Sequence, residues 1–183
     1  MDTQHTATPH TYEALLIGGR AGVGKTTVAW EVSVLLREEE ISHCLVEGDF
    51  MDHIHPAPAG DPHRSAITER NLAAVWANYA ALGQHRLIYT NTVSVLEAAM
   101  VRRAMGGEVP ARITGVLLTA GDSAAGSRLA GREIGSQLLP HIERGERMAR
   151  RLEAEAPPGT VRVATDGRSV ADIALEVRRV TGW

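Results

Sequence analysis

Ala14-Leu15-Leu16-Ile17-Gly18-Gly19-Arg20-Ala21-Gly22-Val23-Gly24-Lys25-Thr26-Thr27 is the stretch that decides the fold. A short apolar run suited to a buried strand leads into a glycine-rich loop, and residues of helical period follow. From Gly19 to Thr26 every fixed position of G-x-x-x-x-G-K-[ST] is filled. Such a loop turns backbone N–H groups toward the phosphates of a nucleoside triphosphate. Lys25 is expected to reach the β and γ oxygens, and Thr26 to offer its hydroxyl to Mg²⁺. The helix that begins at Lys25 adds the positive potential of its N-terminus. Gly19, Arg20, Ala21, Gly22, Val23, Gly24, Lys25, Thr26 and Thr27 are the expected nucleotide-binding residues, with ATP and Mg²⁺ as cofactors.

Working outward, short apolar runs alternate with longer stretches of helical period, the pattern of βαβ units around a parallel sheet. Strands are expected at Glu13–Gly18, His43–Glu47, Arg86–Asn91, Ile113–Thr119 and Thr160–Ala164. Helices are expected at Lys25–Glu39, Ser65–Leu82, Ser94–Met105, Asp122–Glu133, Pro140–Ala156 and Val170–Thr181. Ser169 and Asp172 have the spacing of a capping box for the last of these. The chain of 183 residues, 44% hydrophobic, suits one domain over residues 12–183, with residues 1–11 as a flexible polar tail. Pro56 to Pro62 reads as a loop at a pocket edge. The single Cys44 fits a reducing cytoplasm. A net charge of −3 argues against a nucleic-acid polymer as partner, and the sequence has no apolar run near the ~20 residues needed to cross a bilayer. The oligomeric state is not legible.

Three further clusters carry candidate chemistry. Glu47-Gly48-Asp49-Phe50-Met51-Asp52 follows the second strand, where open α/β sheets receive their ligands. A carboxylate there can deprotonate an acceptor hydroxyl or hold Mg²⁺ through water, and it can equally be a turn or cap acid. Asp49 is ranked first for this role, Glu47 next and Asp52 third. Thr26, Asp49 and Glu47 form the candidate metal set. Phe50, Asp52, His53 and Asn91 are the candidate acceptor contacts. His53 and His55 alone do not complete a metal-ligand pattern. Arg128 and Arg132 lie four apart on a helix face, and Lys25 with Arg132 is expected to meet the equatorial oxygens of a transferred phosphoryl group. Arg144, Arg147, Arg150 and Arg151 read mainly as a solvated face. Thr165-Asp166-Gly167-Arg168-Ser169 is a third strand-end loop. Thr90-Asn91-Thr92 ends the third strand without the acid common in motor ATPases, and no N-K-x-D guanine signature is present.

With these residues the chain resembles the small P-loop kinases: the nucleoside monophosphate, shikimate, gluconate and adenylylsulfate kinases and antibiotic phosphotransferases. Arg132-Glu133-Ile134-Gly135-Ser136, with His141, Arg144 and Met148, resembles an actinobacterial group near tunicamycin-resistance ATP-binding proteins. The resemblance implies an α/β/α sandwich whose five-stranded parallel sheet has the order 2-3-1-4-5, with a LID segment at about 128–150. It also implies that Glu47-Gly48-Asp49 contacts acceptor and metal, that Arg128 packs on adenine, that Arg132 is a LID arginine, and that Asp166, Gly167 and Arg168 border the adenine. The adenylylsulfate kinases carry an arginine after this turn, where Phe50-Met51-Asp52-His53 stands here. The expected function is transfer of the γ-phosphoryl group of Mg-ATP to a hydroxyl or phosphate of a small molecule, such as a nucleoside, nucleotide, sugar or antibiotic. The alternatives are an ATP-binding sequestration module with little turnover, and a simple ATPase.

Overall fold

The computed structural model describes residues 11–107, 111–131 and 138–183. Its central strand, β1 (Tyr12–Gly18), sends alternate side chains to opposite faces, as the pleat requires. Leu15 and Ile17 enter one apolar cluster and Ala14 and Leu16 another, all four buried. A strand buried on both faces needs helices on both sides of its sheet.

The other elements supply them. In chain order they are α1 (Lys25–Glu38), β2 (Cys44–Glu47), α2 (Ser65–Ala81), β3 (Arg86–Thr90), α3 (Ala98–Ala104), β4 (Ala111–Thr119), α4 (Asp122–Ala130), α5 (Leu138–Glu155), β5 (Val161–Ala164) and α6 (Val170–Thr181). The strands form one parallel sheet in the order β2-β3-β1-β4-β5, as the resemblance implies. Val28, Val32 and Leu36 of α1, with Ile173 and Val177 of α6, cover the Leu15 face. Leu72 and Trp76 of α2, with Val101 of α3, cover the Leu16 face, and α5 lays Leu152 against Leu117 of β4. The ring of Trp76 meets Tyr12 edge-on, with centroids 5.0 Å apart. At the start of β1, Glu13 lies in register with Arg86 and Arg112 on the two flanking strands and pairs with both. Such cross-strand pairs are each worth about 0.2–1 kcal/mol and favour this register.

Two expected helices are altered. The segment 94–105 breaks into a 3₁₀ turn, Ser94–Leu96, followed by α3. The Asn91 carboxamide oxygen accepts the Val93 N–H at 3.2 Å, so a side-chain turn competes with helix at its start. The helix expected at 122–133 is described to Ala130; Arg132 and Glu133 lie outside the described residues, as do residues 1–10. Ser169 caps α6 as its spacing predicts, accepting the Asp172 N–H at 3.1 Å. Cys44 is buried, which pushes its thiol up to about 12 and leaves it protonated. Among the described residues, no helix is long and apolar enough to cross a membrane.

Candidate nucleotide and acceptor site

The glycine-rich loop joins β1 to α1 at the carboxyl end of the sheet. Gly19 donates its N–H to Thr92 O at 3.1 Å, tying the loop to the segment after β3. Gly22 has φ +81°, and a Cβ there would stand 2.5 Å from the Ala125 carbonyl oxygen of α4, so the position requires glycine. Lys25 Nζ donates to Arg20 O across the loop at 3.3 Å. Arg20, read as a nucleotide contact, directs its guanidinium to Asp122 at the start of α4 and is 3% exposed. Its side chain braces the loop from behind.

Thr26 and Glu47 meet beside this loop. Thr26 Oγ1 donates to Glu47 Oε2 at 3.3 Å, and Trp30 Nε1 donates to Glu47 Oε1 at 3.4 Å. Both oxygens of Glu47 are thus oriented at the end of β2. Trp30 on α1 is 53% exposed and serves as this donor. Of the acids named as metal candidates, Glu47 makes the bond to Thr26. Asp49 stands further on, exposed on a 3₁₀ turn, Gly48–Phe50.

A cleft of about 420 Å³ opens on the α4 side of the loop, with Gly22, Gly24, Thr27, Arg128, Arg168 and Ile173 in its lining. Arg128 donates from Nη1 to Thr165 Oγ1 at 2.9 Å and from Nη2 to Thr165 O at 3.1 Å, which holds its planar head at the cleft wall. Arg168 is steadied by Ala164 O at 3.0 Å and Glu176 at 2.7 Å. Asp166 accepts the Gly121 N–H at 2.7 Å and, like Gly167, is not part of this lining. The glycine cradle, the fixed guanidinium faces and the oriented Thr26–Glu47 pair fit a magnesium nucleotide.

On the other side, Asp49, Phe50, Asp52, His53, Ile54 and Arg64 line a cleft of about 440 Å³. Gly48 is needed here, because a Cβ would stand 2.5 Å from the Tyr89 hydroxyl on which the turn rests. Asn71 Nδ2 donates to Met51 O at 2.7 Å, and Arg64 Nε donates to Ile54 O at 3.2 Å, holding the following loop. His55 and Asn91 do not line this cleft, and Asn91 spends its oxygen on the Val93 turn. Among the described residues, no three His, Cys, Asp or Glu groups are placed to hold a metal ion.

Glu97 is the residue the sequence reading missed. It follows the 3₁₀ turn after β3, and its Oε2 is buried without a hydrogen-bond partner. Burial, then the charges of Asp52 and Asp49, push its carboxyl up from 4.5 to about 7. The available signal was an isolated acid in Val93-Ser94-Val95-Leu96-Glu97-Ala98-Ala99, an otherwise largely apolar run after a strand. Because the folded carboxyl binds its proton more tightly than the unfolded one, its effect on stability is most favourable below 4.5 and declines as pH rises toward 7. Glu97→Gln is therefore expected to stabilise the protein at pH 8 by on the order of 3 kcal/mol at most. Urea unfolding should show that gain shrinking at pH 5; an equal gain at both pH values would contradict the burial argument.

No family model matches the chain, and no curated protein matches it by sequence. Solved structures do resemble it. An APS kinase from Mycobacterium tuberculosis, in complex with AMPPNP and APS, matches 96% of this chain and 100% of its own, with a TM-score of 0.62 at 20% identity. A tunicamycin resistance protein from Deinococcus radiodurans matches 93% and 96%, with a TM-score of 0.60 at 18% identity. A shikimate kinase from Bacteroides thetaiotaomicron matches 93% and 98%, with a TM-score of 0.59 at 11% identity. The chain has the α/β/α fold of the small P-loop kinases, and at these identities the likeness is one of fold.

Proposed function

We propose that the protein is a kinase that transfers the γ-phosphoryl group of Mg-ATP to a hydroxyl of a small molecule. The observation that carries this reading is the complete phosphate loop whose Thr26 hydroxyl is bonded to Glu47, with Asp49 one turn away at the mouth of a second cleft. A nucleotide cleft on one side of the loop and a carboxylate-lined cleft on the other suit a donor and an acceptor better than they suit water alone.

In this reading Gly22, Gly24 and Thr27 hold the phosphates, and Arg128 and Arg168 border the base. Thr26 and Glu47 would hold Mg²⁺. Bound Mg-ATP supplies the phosphoryl group and neutralises part of its charge. Lys25 carries positive charge to the oxygens on which charge grows in the transition state, and Arg132 is the second cation assigned to them. Asp49 orients the acceptor hydroxyl and takes its proton.

The test is incubation with Mg-ATP and pooled nucleosides, sugars and antibiotics, with mass spectrometry for phosphorylated product and a parallel measurement of ADP. Product formed in step with ADP supports the kinase. ADP alone points to an ATPase, and ATP binding without either points to a sequestration module. Asp49→Asn is expected to lower kcat by about 100-fold, within the range for loss of a general base, with little change in ATP affinity. Turnover at the parent rate would remove Asp49 from the mechanism.

A further inference from the structure

A cavity of about 260 Å³ lies between α5 and the carboxyl end of β4. Leu117 to Ala120 line it from the sheet, Ala149 to Glu153 from α5, and Arg20 reaches it from the glycine-rich loop. Among the described residues it shares no lining with the nucleotide cleft or with the cleft beside Asp49. Much of the wall is hydrocarbon, from Leu117, Ala120, Ala149 and Leu152. Water finds few partners against such a wall, so the cavity suits an apolar body. Its volume falls just below the ~300–1,000 Å³ of sites for drug-sized ligands, which limits that body to one ring or a short chain.

The polar part of the lining selects what the body carries. Arg20 is 3% exposed, yet its Nε is buried without a hydrogen-bond partner. Its Nη1 pairs with Asp122, whose side chain is 64% exposed. Gly145 lets α5 pass over the guanidinium, since a Cβ there would stand 3.4 Å from Nη2 and 3.5 Å from Nε. A buried N–H of a charged group is costly to leave open, and one at the wall of a cavity marks a place for an acceptor. Charge narrows the choice further. Asp122 balances Arg20, and Arg162 balances Glu153 at 2.7 Å. Arg150 is exposed at the rim and, among the described residues, takes part in no ion pair. The lining therefore has one positive charge left over, which matches a single negative charge on the ligand.

We propose that this cavity is a binding site for a small monocarboxylate with an apolar body. The carboxylate accepts the Arg20 Nε–H, Arg150 attracts it from the rim, and the body lies against Leu117, Ala149 and Leu152. A neutral amide would leave the Arg150 charge unmatched, an amine would meet two guanidinium groups, and a phosphate dianion would bring a second charge that nothing here neutralises. The site stands apart from the clefts assigned to donor and acceptor, so it holds whether or not the chain is a kinase.

The experiment uses the isotope-labelled full chain, with benzoate as probe, benzamide as its neutral match and benzylamine as its cationic one. Two-dimensional NMR follows the Arg20 Nε–H and the backbone N–H groups of Ala149 and Leu152. Benzoate is expected to shift these signals saturably, with a Kd in the millimolar range and at least ~10-fold below that of benzamide. Ala149→Leu should fill the cavity and abolish the shifts. Equal affinity for benzamide, tighter binding of benzylamine, or no saturation by about 50 mM benzoate would overturn the proposal. So would shifts centred on Gly22 and Gly24, the mark of a simple anion in the glycine-rich loop, or shifts that persist in a folded Ala149→Leu. If that variant does not fold, the comparison of acid and amide on the unmodified chain decides by itself.

Discussion

Lys25→Ala is expected to lower kcat/KM for phosphoryl transfer at least ~100-fold, or about 2.7 kcal/mol of transition-state stabilisation. The side chain begins α1, with its Nζ reaching back over the loop to Arg20 O. Its ammonium therefore lies across the mouth of the loop rather than out in solvent, where a charge would be screened. The substitution removes a charge whose value rises as the γ-phosphoryl oxygens become more negative, so kcat should fall more than ATP affinity. Circular dichroism establishes that the variant is folded, and a coupled ADP assay measures the loss. Retention of activity within about threefold would show that this loop is not the phosphoryl-transfer centre.

The second large effect is on the fold. Leu16→Ala is expected to cost about 3–4 kcal/mol, read by urea unfolding, and to lower Tm by roughly 10 °C for a chain of this length. Leu16 is fully buried in the central strand, in register with Tyr89 on one side and Gly115 on the other. It packs in the cluster with Leu72, Trp76, Leu87 and Met105, so truncation opens a cavity that elements on both sides of the strand would have to close. Leu82, 80% exposed just after α2, is the control, and its replacement by alanine should change stability by less than about 0.5 kcal/mol. A small loss at Leu16 would mean that the sheet tolerates repacking at its centre.

Local chemistry made the scaffold and the glycine-rich loop legible. A strand must alternate its side chains and a phosphate loop needs small residues at set intervals, so Ala14 to Thr26 carries its own instructions. Ser169 and Asp172 likewise declare the start of α6 within four residues. The strand order followed from the resemblance and agrees with the structure. Other features depend on residues far apart in the chain. The Thr26–Glu47 bond joins residues 21 apart, and Trp30 turns outward because Glu47 is there to accept its N–H. Arg20 faces Asp122, 102 residues on, and does not line the cleft bordered by Gly22, Gly24 and Arg128.

Sequence alone determined that strand, glycine-rich loop and helix follow one another, because each choice rests on backbone geometry within a few residues. The charge of the second cleft was decided only by tertiary structure. Asp49 and Asp52 follow β2, whereas Glu97 follows β3, and parallel pairing of those strands brings the three carboxylates within reach of one another. Coulomb energy depends on separation in space and on the surrounding dielectric, and neither is written in the spacing of residues along the chain.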